Sequence, residues 1–67
     1  MIIAVDIGNS NIVIGGIRGS QIVFEARLRT DSTKTSDEYA IDLKMIFDIH
    51  HLELKEIEGS IIASVVP

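Results

Sequence analysis

The sequence predicts a mixed α/β fold in the order β-β-β-α-β, an antiparallel meander of three strands followed by a helix and a parallel strand. Three observations predict it. Two apolar runs, Met1 to Val5 and Ile61 to Val66, show no alternation, as expected of strands covered on both faces. Between them the chain first makes tight turns between β-rich runs. From Thr35 onward its apolar residues recur with the period of a helix.

The first strand, Met1 to Val5, is expected to be central. In the second, Ile12, Val13, Ile14 and Ile17 form a β-branched run broken by Gly15-Gly16, a pair that predicts a bulge or a close backbone approach. Gly19-Ser20 makes the next turn. From Gln21 to Arg29, Ile22, Phe24, Ala26 and Leu28 share one parity, while Gln21, Glu25, Arg27 and Arg29 take most of the other. That alternation marks a half-wet strand. The turns at Gly8 to Asn11 and at Gly19-Ser20 are too short for parallel crossovers, so the first three strands must run antiparallel. T-S-D-E at Thr35 to Glu38 reads as a capping box. Tyr39, Leu43, Ile46, Phe47 and His50 then form one helical stripe, ending near His50 or His51. The polar connection through Glu58 and Gly59 leads to the last apolar run, read as a second buried strand. The helix before it is long enough to serve as a right-handed crossover.

Composition narrows the function classes. The 67 residues carry ten acidic and six basic side chains, a formal net charge of −4, one proline and no cysteine. Disulfides and thiolate metal sites are therefore excluded, and so short a core is marginal without such a staple. Neither apolar run approaches the roughly 18 residues of a membrane span, and no basic region precedes a cleavable apolar segment, so the expectation is a cytoplasmic protein without a membrane partner. An acidic chain lacking a Lys/Arg cluster is a poor ligand for nucleic acid. No repeat, low-complexity segment or linker is visible.

The chemistry concentrates at the tip of the first strand, in V-D-I-G-N-S-N, Val5 to Asn11. Asp6 closes the strand, and Gly8 is expected at positive φ, where the backbone can turn sharply and approach a ligand without a Cβ in the way. The amides of Gly8 to Asn11 and the side chains of Asn9, Ser10 and Asn11 offer donors to phosphate oxygens. Asp6 repels a phosphate unless a cation lies between them, so the combination points to metal-bound phosphate. An ordinary tight hairpin prefers the same residue types, and D-x-G-N-S alone does not distinguish the two.

Three pieces occur in order: D-I-G-N-S-N at Asp6 to Asn11, R-T-D followed by T-S-D-E-Y at Arg29 to Tyr39, and A-S-V-V-P at Ala63 to Pro67. Together they resemble the actin-like ATPase superfamily, with its ribonuclease H-like fold, and within it the type III pantothenate kinases. The resemblance implies that residues 1–67 are the N-terminal, incomplete part of an actin-like ATPase domain. It implies transfer of the γ-phosphoryl of ATP to pantothenate, the first step towards coenzyme A, with Mg²⁺ and a monovalent cation, potassium or ammonium. It also implies a homodimer at full length. Carried over by position, Asp6 would hold the magnesium, and Ile7, Gly8, Asn9, Ser10, Asn11, Ile12 and Val13 would form the nucleotide-binding hairpin, with Ile12 and Val13 supporting the turn. Ser10 stands where threonine is common, and the hydroxyl is kept. The catalytic base and the pantothenate and adenosine pockets are expected beyond Pro67, so the 67 residues alone are expected to be inactive. Relatives of this family have also been labelled transcriptional accessory factors, so the alternative is a non-catalytic nucleotide-binding module that keeps the hairpin.

Other polar residues read as structural. Asp37 suits the first turn of the helix, and Asp31 and Asp42 are expected on a solvated surface. Adjacent His50 and His51 point to different helix faces with no carboxylate at a ligand spacing, so they read as a helix C-terminus. Arg27, Arg29 and Lys34 form a modest basic patch, expected to defend an exposed strand edge. Only one helix is available for strands that want two covered faces, which predicts one apolar sheet face left open.

Overall fold

The computed structural model describes residues 1–64; the last part of the final apolar run, Val65 and Val66, and Pro67 lie outside the described residues. The elements are β1 (Ile2–Ile7), β2 (Asn11–Arg18), β3 (Gln21–Arg29), α1 (Ser36–Ile49), a 3₁₀ turn at Leu54–Glu56, and β4 (Gly59–Ser64). They form one sheet in the order β3-β2-β1-β4. β1 pairs antiparallel with β2 and parallel with β4, and β2 pairs antiparallel with β3, as the connection lengths require. This is the expected β-β-β-α-β topology, with β1 central.

Alternation along the strands sorts the sheet into two faces, with one correction: Ile22, which shares its parity with Phe24, Ala26 and Leu28, lies on the opposite face with its register partner Ile17, because the β2–β3 register shifts between it and Phe24. Met1, Ile3, Ile14 and Phe24 meet Ile46 and Phe47 of α1 in the buried core, with Val5, Ile12, Ala26, Leu28 and Leu43 packed around them. The helix residues in this core come from the stripe read in the sequence. Ala4, Val13, Gly15, Ile17, Ile22 and Ile61 line the opposite face, which no element covers among the described residues. One face is thus left apolar and open, as one helix for four strands dictates.

The Gly15-Gly16 pair marks both features expected of it. The β2–β3 register shifts between Gly16 and Ile17, opposite Ile22 to Phe24. A Cβ on Gly16 would lie 2.3 Å from the Phe24 ring and 2.8 Å from the Met1 sulfur, so only glycine lets the strand pass under these side chains. At the next turn Gly19 has φ 64°, and no non-glycine residue there is positive, the requirement of a two-residue type II′ hairpin.

Both helix ends follow from local chemistry. Thr35 Oγ1 accepts from the Glu38 amide at 3.2 Å, and the Glu38 carboxylate accepts from the Thr35 amide at 3.0 Å, the reciprocal capping box. At the other end His51 adopts φ 58°, its amide donates to Asp48 O at 3.1 Å and the Leu52 amide to Phe47 O at 2.8 Å, a Schellman closure. His50 stacks on Phe24 with ring centroids 4.9 Å apart. The histidine pair is therefore a helix stop.

Two expectations about the last strand are corrected. β4 begins at Gly59, before the apolar run, because the preceding residues are fixed by the N-terminus: the Met1 ammonium donates to Glu56 O at 2.9 Å and to the Glu58 carboxylate, and the Glu58 amide donates to Met1 O. β4 is also not buried. Among the described residues it is the sheet edge, with Ile61 63% exposed, since an unalternating run is buried only when both faces and both flanks are covered.

Candidate functional site: the hairpin at the end of β1

Asp6 is the penultimate residue of β1, flanked in register by Val13 of β2 and Ala63 of β4. Its side chain belongs to the uncovered face and is exposed. No ion pair among the described residues engages it. The parallel neighbour brings Ser64 opposite Ile7, so the ends of β1 and β4 lie side by side at the end of the sheet that carries the hairpin.

The turn itself differs from expectation. Gly8 does not have positive φ. Its amide donates to Asn11 O at 2.9 Å, closing the turn, and a Cβ there would sit 3.1 Å from that same oxygen. Glycine is favoured at this position by crowding, because the chain doubles back over itself. The Gly8 amide is already engaged within the turn, and the outward donors of the tip are those of Asn9, Ser10 and Asn11, all three exposed.

What fixes the tip is Thr30, the middle residue of R-T-D, whose local sequence assigns it no role. Its hydroxyl donates to Gly8 O at 2.8 Å and its amide to Ser10 O at 2.9 Å. Two carbonyl oxygens that would repel an anion are thereby occupied, while the side-chain donors of the tip stay exposed. Register carried the signal: Arg29 pairs with Asn11, so the residue that follows β3 must arrive beside Ser10. Ile7 and Ile12 line a second cavity of about 490 Å³ under α1, and Val13 lines the open face, so the apolar members anchor the turn to both sides of the sheet.

The segment after Thr30 is held as tightly, and half-buried Asp42 corrects the reading of that residue as solvated surface, whereas the Asp31 carboxylate keeps the solvated setting expected of it. The Asp31 carboxylate accepts from the Thr33 hydroxyl at 2.6 Å and the Thr33 amide at 2.9 Å, and these bonds, the hydroxyl foremost, hold its pKa below the ordinary 3.8. Tyr39 grips the Asp31 backbone from the helix: its hydroxyl accepts from the Asp31 amide at 2.8 Å and donates to Asp31 O at 2.9 Å. Lys34 pairs with half-buried Asp42, and that hydrogen bond raises the Lys34 pKa above 10.5. Lys34 thus leaves the basic patch. Arg27 and Arg29 remain on β3, the outer strand at the other edge of the sheet, as edge charges.

Among the described residues no group of three or more His, Cys, Asp or Glu side chains could form a metal cage. Asp6 is a lone carboxylate beside hydroxyl and amide donors. Such a donor set suits a hard cation that keeps waters and shares its coordination with phosphate oxygens.

A sheet with three antiparallel strands, a parallel β1–β4 pair and one crossover helix, ending in a glycine-containing hairpin after a strand-terminal aspartate, fits half of an actin-like ATPase domain. The family model for type III pantothenate kinase matches residues 2–67. Proteins called type III pantothenate kinase from Exiguobacterium sp., Moorella thermoacetica and Solibacter usitatus are 45%, 43% and 46% identical to it over 67 residues. The chain belongs to the type III pantothenate kinase family. The match covers 100% of this chain and 26% of each relative, so the chain spans about a quarter of their length. No helix among the described residues is long and apolar enough to cross a membrane.

Proposed function

We propose that these residues are the phosphate-binding front of an ATP-dependent pantothenate kinase, the incomplete N-terminal part of its actin-like ATPase domain. In the full-length protein the γ-phosphoryl of ATP passes to the primary hydroxyl of pantothenate, opening the route to coenzyme A. The observation that carries the reading is the Thr30 clamp, which fixes the Gly8 and Ser10 carbonyls near an exposed Asp6 that no ion pair among the described residues engages, in a chain of this family. Phosphoryl transfer depends above all on positioning and charge neutralisation, and this segment contributes the positioning. Asn9, Ser10 and Asn11 donate to the phosphates, and Asp6 holds the magnesium ion. When bound, that ion neutralises phosphate charge. Potassium or ammonium, a homodimeric assembly and a cytoplasmic setting belong to the same reading, as does a catalytic base contributed from beyond Pro67.

The test is a coupled assay of ATP-dependent pantothenate phosphorylation on the full-length protein. Asp6→Asn, which keeps the size of the side chain and removes its charge, lowers turnover by a factor on the order of 100 or more while the far-ultraviolet circular dichroism is unchanged. The 67-residue chain alone shows no turnover. Wild-type activity in Asp6→Asn would refute the assignment.

A further inference from the structure

The tip of the β1–β2 hairpin owes little of its rigidity to packing. Beneath it Ile7 and Ile12 line the cavity of about 490 Å³ under α1, which no side chain fills among the described residues. Above it Asn9, Ser10 and Asn11 are exposed. Beyond the strand ladder, the tip is therefore held by hydrogen bonds: the Gly8–Asn11 bond inside the turn and the two Thr30 bonds, to Gly8 O and Ser10 O. Thr30 itself is half-buried on the rim of the same cavity.

Thr30 is held in turn through the next residue. Both backbone groups of Asp31 meet the Tyr39 hydroxyl, the amide donating at 2.8 Å and the carbonyl accepting at 2.9 Å, and the same carbonyl accepts from the Lys34 amide at 3.2 Å. One side chain that engages both backbone groups of a residue fixes its orientation as well as its place. Lys34 closes the segment onto α1 through Asp42, with its ammonium 5.2 Å from the centre of the Tyr39 ring. The helix is fixed to the sheet by Ile46 and Phe47. A continuous line of bonds thus runs from α1 through Tyr39, Asp31 and Thr30 to the Gly8 and Ser10 carbonyls on either side of Asn9. We propose that Thr30 and Tyr39 are positioning residues for the nucleotide phosphates: Tyr39 ties Asp31 to α1, and Thr30 carries that anchorage to the hairpin, so that Asn9, Ser10 and Asn11 keep their donors in place. Neither residue touches the phosphate. The proposal rests on the phosphate-binding reading for what is positioned, while the tether stands on the hydrogen bonds alone. Its leverage on turnover is that of misplacement, since a shift of about 1 Å away from the reacting atoms can cost on the order of 100-fold.

Steady-state kinetics and hydrogen exchange on the full-length protein test it together. Thr30→Val, nearly the same shape without the hydroxyl, is expected to lower kcat/KM for ATP about tenfold or more and to leave KM for pantothenate unchanged. Thr30→Ser, which keeps the hydroxyl, restores the parent's ATP dependence. Tyr39→Phe moves the same parameter in the same direction by a smaller factor. In Thr30→Val and Tyr39→Phe, deuterium uptake read by peptide mass spectrometry rises across residues 8–11 and stays unchanged across residues 41–49 of α1, a pattern that general destabilisation does not produce. Should Thr30→Val fail to fold, Tyr39→Phe, which leaves Thr30 intact, decides the matter. Parent-like ATP kinetics in the variants of an active kinase would overturn the proposal and leave the kinase reading standing, as would equal losses on ATP and pantothenate. Tyr39→Phe indistinguishable from the parent in both measurements would overturn the part given to α1. A parent protein that phosphorylates no pantothenate would overturn the kinase reading instead; raised exchange at residues 8–11 in the variants would then uphold the tether, and unchanged exchange would overturn it too.

Discussion

The two faces of the sheet use similar residues and reach opposite fates. On the α1 side, Ile3, Ile14 and Phe24 are almost fully buried against Ile46 and Phe47. On the other side, Ile17, Ile22 and Ile61 line an open trough. Hydrophobicity is therefore not what separates the faces; the presence of a covering element is. The covered face contributes the burial that holds these residues together, and the open face adds stability only once something lies on it.

The largest test of that contrast is truncation in the covered core. Phe47→Ala is expected to cost about 3–5 kcal/mol in denaturant unfolding of the full-length protein. In a chain whose trough stays empty, Ile22→Ala costs little, because its side chain is already largely in water. Equal losses at the two positions in such a chain would erase the distinction. Overfilling the same core comes next: Gly16→Ala places a methyl group against the Phe24 ring and the Met1 sulfur, and about 1–3 kcal/mol should be lost. A smaller effect belongs to the helix that provides the cover. Thr35→Ala removes one half of the capping box, with an expected loss of about 1 kcal/mol, seen as a lower midpoint at unchanged slope.

The smallest effect is electrostatic and pH-dependent. Asp31 has a folded pKa below its ordinary 3.8, so its contribution is present above that pH and disappears as pH falls through the folded value. Thr33→Val removes the hydroxyl chiefly responsible. The variant should be less stable than the parent at neutral pH, and the gap should close in acid below 3.8. A gap that stays constant down to pH 2 would show that the Thr33 hydroxyl acts through something other than this carboxylate.

The open face was legible in advance because it follows from counting: two unalternating strands and one helix. The helix was legible at both ends, since a capping box and a stripe are local patterns and a helix is mainly a local structure. The phosphate hairpin was legible in its residue types and misread in its geometry. Gly8 seemed to need positive φ, yet the constraint on it is the approach of Asn11 O, a contact between residues that only the folded turn brings together. Thr30 went without a role because nothing in its local sequence shows that β3 returns it to the tip of a different hairpin. Asp42 was read as solvated because a carboxylate in a polar stretch has no visible partner until Lys34 is placed beside it, and the Thr33 bonds to the Asp31 carboxylate and the Tyr39 bonds to its backbone are equally invisible before folding.

By itself, then, the sequence determined the order of elements, the antiparallel meander, the helix limits and the family, all of which rest on short-range patterns or on motifs whose spacing is preserved along the chain. Tertiary structure alone decided that Thr30 holds the hairpin and that, among the described residues, Asp6 stands on the uncovered face and β4 is an exposed edge. Those outcomes depend on register and on which surfaces meet, and both are set by pairings between residues distant in the chain.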